Sequence, residues 1–370
     1  MTMNDSRIIL TLAVLCLLAG TAAVDVLAQS VIDDFDEWLS IGEYYQMVNE
    51  AGEIVMETGR VLGQGDEYLT SANELYRVVR VDTANRLAHA ELVDVVDIGV
   101  VPWTELLKSA GKTLAGMVDS EPRGLIGIYH THNAESYIPT DGTDSIYGQG
   151  GIHRVGAAFA HSLQERGVNV EHSDNLHLPH DRGAYRRSRE TALELLAQNP
   201  DAIFDVHRDA APRDAYALQV EDEWVTSVQF VVGRQNQNLG VNREFAQSMK
   251  ALADQIYPGL VKGIFYGRGN YNQDLSPLAL LLEAGAHTNS REAAERGISL
   301  FADVVDLYFY GPAEESSKAR TEAGSKAATR GIGGLLVFVF ACIAVFYVIN
   351  AGGLGAALDR LRSLFRIRQR

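Results

Sequence analysis

Cysteine is nearly missing from this chain of 370 residues: there are two, Cys16 and Cys342, each inside an apolar run near a terminus. The stretch between them therefore has no disulfide and no thiolate metal ligand, so a metal site there must use His, Asp and Glu. Basic charge is scarce as well. Lysine and arginine number 32 against 48 aspartates and glutamates, a net charge of −16. A polyphosphate partner demands a basic face, so nucleic-acid binding is excluded. A neutral or zwitterionic polymer stays open as a substrate. With 46% hydrophobic and 22% charged residues, wholesale disorder is excluded too, and the length admits about two domains.

Two apolar segments flank the central part. Residues 8–24 follow Arg7 and read as the core of a signal peptide or N-terminal anchor within 1–30. Val26-Leu27-Ala28 offers a small-residue cleavage site that Asp25 weakens, so cleavage and retention both stay open. Residues 331–358 carry no charge and exceed the ~20 residues that span a bilayer, which predicts a transmembrane helix. The tail 359–370 has five arginines and one aspartate, which the positive-inside rule places in the cytoplasm. The expected location is the cell membrane, with the chain between the two segments on the extracytoplasmic side. Residues 313–330 form a polar tether.

Residues 31–98 contain short β-type runs between turn residues, such as ELYRVVRVD (74–82), and predict a small β-rich domain with no cluster suggesting chemistry. Residues 99–122 read as a linker holding a short helix. From 123 to 312 apolar strands (124–130, 168–172, 201–207, 225–233, 278–285) alternate with helical patterns (151–167, 188–200, 242–257, 290–309). This predicts an α/β fold: a mixed, mostly parallel sheet with helices on both faces.

Ligands in open α/β sheets bind outside the carboxyl ends of the strands. Three of these strands end in ionisable residues: the first in His130, His132 and Glu135, the third in His207, Arg208 and Asp209, the last in Glu283 after three leucines. Adjacent in one sheet, they converge. Two histidines and a carboxylate with one open position suit a catalytic zinc, which activates water and polarises a carbonyl. A further carboxylate must then accept the water proton. Glu283 fits that role, because burial after a leucine run needs a purpose and raises its pKa. His130 and His132, two apart on a strand, are expected on one face, and either could be the ligand. Glu135 is a ligand or a turn cap. His180 is the foremost spare among His153, His172, His177 and His180, and His161 reads as a surface or packing residue. Arg208, Asp209 and Arg189 are candidates for substrate binding, with Arg186 and Arg187 beside the last; for the three arginines of 186–189 a solvated helix face is the alternative.

HTHNAES (130–136), DVHRDA (205–210), FVVG (230–233) followed by Asn236, YPGL (257–260), YNQDLSP (271–277) and LLLEAG (280–285) stand in the order found in the stage II sporulation protein P family. Across residues ~124–310 the chain resembles that family of membrane-anchored cell-wall hydrolases. The resemblance implies a zinc-dependent N-acetylmuramoyl-L-alanine amidase that cuts the stem peptide from muramic acid in peptidoglycan, with D,D-endopeptidase activity as an additional option. It implies action in septal wall removal and engulfment, beside a lytic transglycosylase like stage II sporulation protein D. Carried over, His130 and His132, Glu135 and His207 are the metal candidates and Glu283 the catalytic residue. Related amidases place the first zinc histidine just beyond the first strand, which favours His132. They take a glutamate from the start of the first helix, where this chain has GQGGIHRVG (148–156) and none; Glu135 substitutes. Asn133-Ala134 replaces the usual Thr-Ser. The C-terminal anchor is unlike familiar members. A zinc peptidase confined to stem peptides and a wall-binding scaffold with a vestigial site are the competing readings.

Overall fold

Runs rich in Val, Ile, Leu and Phe, apolar at successive positions, become strands buried on both faces in the computed structural model, which describes residues 39–99 and 123–311 apart from positions 41 and 182. The expected signal or anchor, the linker helix, the tether, the segment 331–358 and the basic tail lie outside the described residues. Among the described residues no helix is long and apolar enough to cross a membrane.

The N-terminal strands are β1 (Tyr45–Val48), β2 (Ile54–Thr58), β3 (Glu67–Thr70), β4 (Glu74–Asp82) and β5 (Leu87–Val95). There follow β6 (Arg123–Tyr129), α1 (Ile138–Asp141), α2 (Ile152–Glu165), β7 (Val168–His172), α3 (Ala184–Leu196) and β8 (Ala202–Asp209). The chain continues through β9 (Ala217–Val220), β10 (Glu223–Thr226), β11 (Val228–Gly233), α4 (Leu239–Ile256), β12 (Val261–Gly267), β13 (Ala279–Ala286) and α5 (Arg291–Tyr310). Eleven strands form one sheet in the order β2-β1-β5-β4-β3-β12-β11-β13-β8-β6-β7. From β12 to β7 every pairing is parallel except β11 with β13. The fold is thus mixed α/β with one large mixed sheet, mostly parallel from β12 to β7.

The β-rich segment expected at 31–98 extends that same sheet, since β3 pairs antiparallel with β12. One predicted strand (225–233) is two: β10 forms a separate hairpin with β9, and β11 enters the main sheet. β12 was not predicted, because Lys262 and Gly263 interrupt its apolar run.

One face of the sheet is covered by α2, α4 and α5. Phe204 of β8 is fully buried there against Phe159 and Phe301, with ring centroids 5.6 and 6.2 Å away. Burying each such ring contributes about 1.5–3 kcal/mol. The opposite face is shared. Ala192 and Leu195 of α3 pack on Ile203, while Met47, Met56 and Tyr68 of the N-terminal strands pack in one cluster with Val231, Phe265 and Leu281. Glu283 is two residues from Leu281 in β13, so it points to this second face.

Candidate metal centre

β13, β8 and β6 are consecutive parallel neighbours, so their carboxyl ends open on one edge, and Glu283 stands in register with His207. The convergence expected of the three strand ends is present. Burial there is deep: His130, His132, Glu135, His207 and Glu283 are each at most 2% exposed.

The two histidines of the first motif part company. β6 ends at Tyr129, so the alternation of a strand no longer governs His130 and His132, and they do not share a face. His130 Nδ1 is 2.8 Å from the Val206 carbonyl and its Nε2 is 2.9 Å from His172 Nε2, with the His153 ring edge-on at 5.0 Å. Burial, then the neighbouring His172 and His153, hold its pKa well below the ordinary value. Gly156 makes room for it: a Cβ there would sit 2.4 Å from His130 Cε1.

His132 turns the other way. Its Nδ1 lies 3.1 Å from His207 Nδ1 and 3.6 Å from Glu135 Oε1, and His207 Nδ1 is 3.5 Å from the same oxygen. Imidazole and carboxylate donors held at about 2.0–2.1 Å by a tetrahedral cation stand about 3.3 Å apart. The three edges match one face of such a polyhedron, and Glu135 Oε1 has no hydrogen-bond partner although fully buried. The residues fit a divalent cation. His180, stacked on His132 at 4.6 Å between centroids, gives a second set: one donor atom each of His132, Glu135 and His180 lie within 4.8 Å of one another. The set containing His207 has all three separations at or below 3.6 Å, and its ring has a carboxylate behind it. His207 Nε2 is 2.9 Å from Asp205 Oδ1, the carboxylate–histidine arrangement that orients metal ligands.

Electrostatics follow from that packing. Burial opposes ionisation of Glu135, but His207, His132 and Arg208 outweigh it and hold its pKa well below the usual carboxylate range. Burial likewise opposes charging of His207, and Asp205 and Glu135 overcome it, raising its pKa. Glu283 behaves differently: burial pushes it up to about 7, against the nearby Arg60 guanidinium.

The candidates for substrate binding are engaged by the protein itself. Arg208 donates its backbone N–H to Glu135 Oε2 (3.0 Å) and its side chain to the carbonyls of Ser136 and Asp144, closing the loop that carries Glu135. Glu135 is therefore tethered through one oxygen and faces the histidines with the other. Asp209 accepts from Thr58 Oγ1, Gly59 N and Tyr216 Oη. Arg189 forms a two-point pair with Asp274 (2.8 and 2.6 Å). His177 bridges the His130 carbonyl and Thr191. His161 is exposed beside Glu165. Sequence reasoning missed Asp205, although its position two residues before His207 on one strand face was a usable signal. It also missed Arg60, whose 7%-exposed side chain donates to Glu283 Oε1 from Nε and Nη2 at 3.1 and 2.6 Å.

The sequence model of the family described as "Stage II sporulation protein P" matches residues 95–306. A curated protein of that name from Bacillus subtilis (strain 168) is 32% identical over 217 residues, covering 54% of each chain; the chain thus spans about half the length of this relative. The CwlD amidase from Clostridioides difficile, solved with the GerS lipoprotein, is 12% identical with a TM-score of 0.32, covering 50% of this chain and 95% of its own. The N-acetylmuramoyl-L-alanine amidase AmiC2 of Nostoc punctiforme is 17% identical with a TM-score of 0.28, covering 50% and 96%.

Proposed function

Because this chain belongs to the stage II sporulation protein P family, we propose that it is a zinc-dependent peptidoglycan hydrolase that cleaves the amide between muramic acid and the L-alanine of the stem peptide during sporulation. The observation that carries the reading is the triangle of His132 Nδ1, His207 Nδ1 and Glu135 Oε1, with a buried carboxylate, Glu283, on the neighbouring strand in register with His207. His132, His207 and Glu135 would hold the metal, which when bound supplies a Lewis acid for the amide carbonyl and a more acidic water.

The chain's own groups supply the rest. Asp205 stands 2.9 Å from the second nitrogen of His207, which leaves Nδ1 as the nitrogen beside His132 and Glu135. The Arg208 backbone N–H holds Glu135 aimed at the histidines, and His207, ahead of His132 and Arg208, keeps that carboxyl ionised against burial. Glu283 takes a proton from water through Oε2, the oxygen with no hydrogen-bond partner, and passes it to the departing amide nitrogen as that C–N bond breaks. The products are a carboxylate on the muramic acid lactyl group and a free amine on alanine.

The hydrophobic segments at 8–24 and 331–358 fit a hydrolase held at the outer face of the cell membrane, and a glycan-cutting lytic transglycosylase acting on the same polymer fits as its partner. Mass analysis of sacculi digested with the full chain tests the reaction. Free stem peptides beginning at L-alanine are expected; cut cross-links alone would instead mark a D,D-endopeptidase. Glu283→Gln should keep zinc and lose at least about 100-fold in rate. A variant as fast as wild type would remove Glu283 from the mechanism.

A further inference from the structure

Arg60 stands in the connection between β2 and β3, outside the family-matched residues 95–306, yet its guanidinium reaches the centre of the site. Both of its hydrogen bonds to Glu283, from Nε and Nη2, end on the same oxygen, Oε1. Glu283 Oε2 accepts none. The Tyr271 ring lies against the guanidinium, 5.3 Å from its centroid.

The backbone that presents Arg60 is fastened on both sides. Thr58 Oγ1 and Gly59 N donate to Asp209 Oδ1 at 3.0 and 2.9 Å, and Arg60 N donates to Thr58 Oγ1 at 3.2 Å. Only glycine fits at 59, since a Cβ there would lie 2.4 Å from the Cβ of Ala210. Further along, Asp66 pairs with Arg234 and Glu67 with Arg243, at 2.6 and 2.7 Å. Lys250 Nζ donates to the Ser71 carbonyl and to Asn73 Oδ1. Two donors of one rigid, planar guanidinium converging on one oxygen fix the place of that oxygen and leave the other free to face water. A flexible cation would satisfy charge alone.

We propose that Arg60 is a positioning residue of the hydrolytic site, holding Glu283 by Oε1 so that Oε2 is the oxygen presented to water. The proposal rests on the hydrolase reading above. It makes residues 58–60 part of the catalytic unit, which sequence similarity alone would begin at residue 95.

The test uses the full chain as wild type, Arg60→Ala and Glu283→Gln, with zinc content, melting temperature, kcat and KM on a soluble peptidoglycan fragment. Arg60→Ala is expected to bind zinc as wild type does, with kcat lower by about 10- to 100-fold and KM within about twofold. Added free guanidinium should restore part of kcat. If Arg60→Ala does not fold, Arg60→Gln, which keeps an amide donor without the charge or the fork, replaces it with the same expectation. A folded, zinc-loaded variant with kcat equal to or above that of wild type overturns the proposal, as does a loss confined to KM. An inactive wild type overturns the hydrolase reading and this proposal with it. Active wild type, dead Glu283→Gln and indifferent Arg60→Ala overturn this proposal alone.

Discussion

Asp205 Oδ1 stands 2.9 Å from His207 Nε2 and so turns the other nitrogen of that ring toward His132 and Glu135. Asp205 is itself fixed by Thr131, which donates its backbone N–H (2.8 Å) and its hydroxyl (2.6 Å). Carboxylates behind a ligand histidine typically set metal affinity by about 10- to 100-fold. Asp205→Asn should weaken zinc binding by that range in a competition titration against a chelator. A dissociation constant within twofold of wild type would leave Asp205 with a packing role only.

His130 and His132 should separate cleanly. His132→Ala is expected to abolish stoichiometric zinc, whereas His130→Ala should retain it and lower the melting temperature, because it empties a fully buried site beside His172 and His153. Gly156→Ala should also destabilise, by about 1–3 kcal/mol, since its Cβ meets a ring anchored to the Val206 carbonyl. Zinc stoichiometry lost in His130→Ala and kept in His132→Ala would reverse the assignment.

Glu283 predicts opposite pH trends for rate and stability. Burial raises its pKa to about 7, so the carboxyl becomes a base only as pH rises through that value, and kcat/KM should climb across it. The folded pKa lies above that of the unfolded chain. This group's stabilising share is therefore complete below the unfolded value of about 4.3 and is lost as pH rises through 7. Comparing melting curves of wild type and Glu283→Gln from pH 5 to 8 isolates it. The gap should widen with pH in favour of Gln, and a constant gap would mean that Glu283 titrates elsewhere.

Gln229 of β11 lies in register opposite Glu283, fully buried, and neither its amide nitrogen nor its oxygen bonds to another protein group. A buried polar group in that state costs about 1–3 kcal/mol. Gln229→Met, of similar size, should therefore stabilise the protein by about 1 kcal/mol, read as a higher melting temperature of about 2–4 °C, and lower kcat if the amide serves the site. A lower melting temperature would show that the amide is satisfied in solution.

Much of the site was legible because its residues interrupt apolar strands at their carboxyl ends. His207 after DV and Glu283 after three leucines make sense only if something at that edge needs them, and parallel neighbours bring such ends together. The separation of His130 from His132 was hidden, since it depends on β6 stopping one residue before the motif. Asp205 was within reach of period-two reasoning. Arg60 was not: the segment around it shows ordinary strand and turn chemistry, and its partner is 223 residues away. β12 escaped notice because a lysine and a glycine break its pattern, and without β12 no strand pairing joins the N-terminal strands to the rest of the sheet.

That pairing of β3 with β12 has a consequence for the order of assembly. β3 is made early and waits for a partner nearly 200 residues downstream (Gly263 against Thr70). Contacts of that span form slowly and late. In a chain that emerges from its amino end, Arg60 precedes Glu283 by 223 residues, and a chain that has not yet reached Glu283 holds only the first. A chain that stops short of Glu283 then carries an incomplete site, so the proposed hydrolytic activity would switch on only once β3 has closed onto β12.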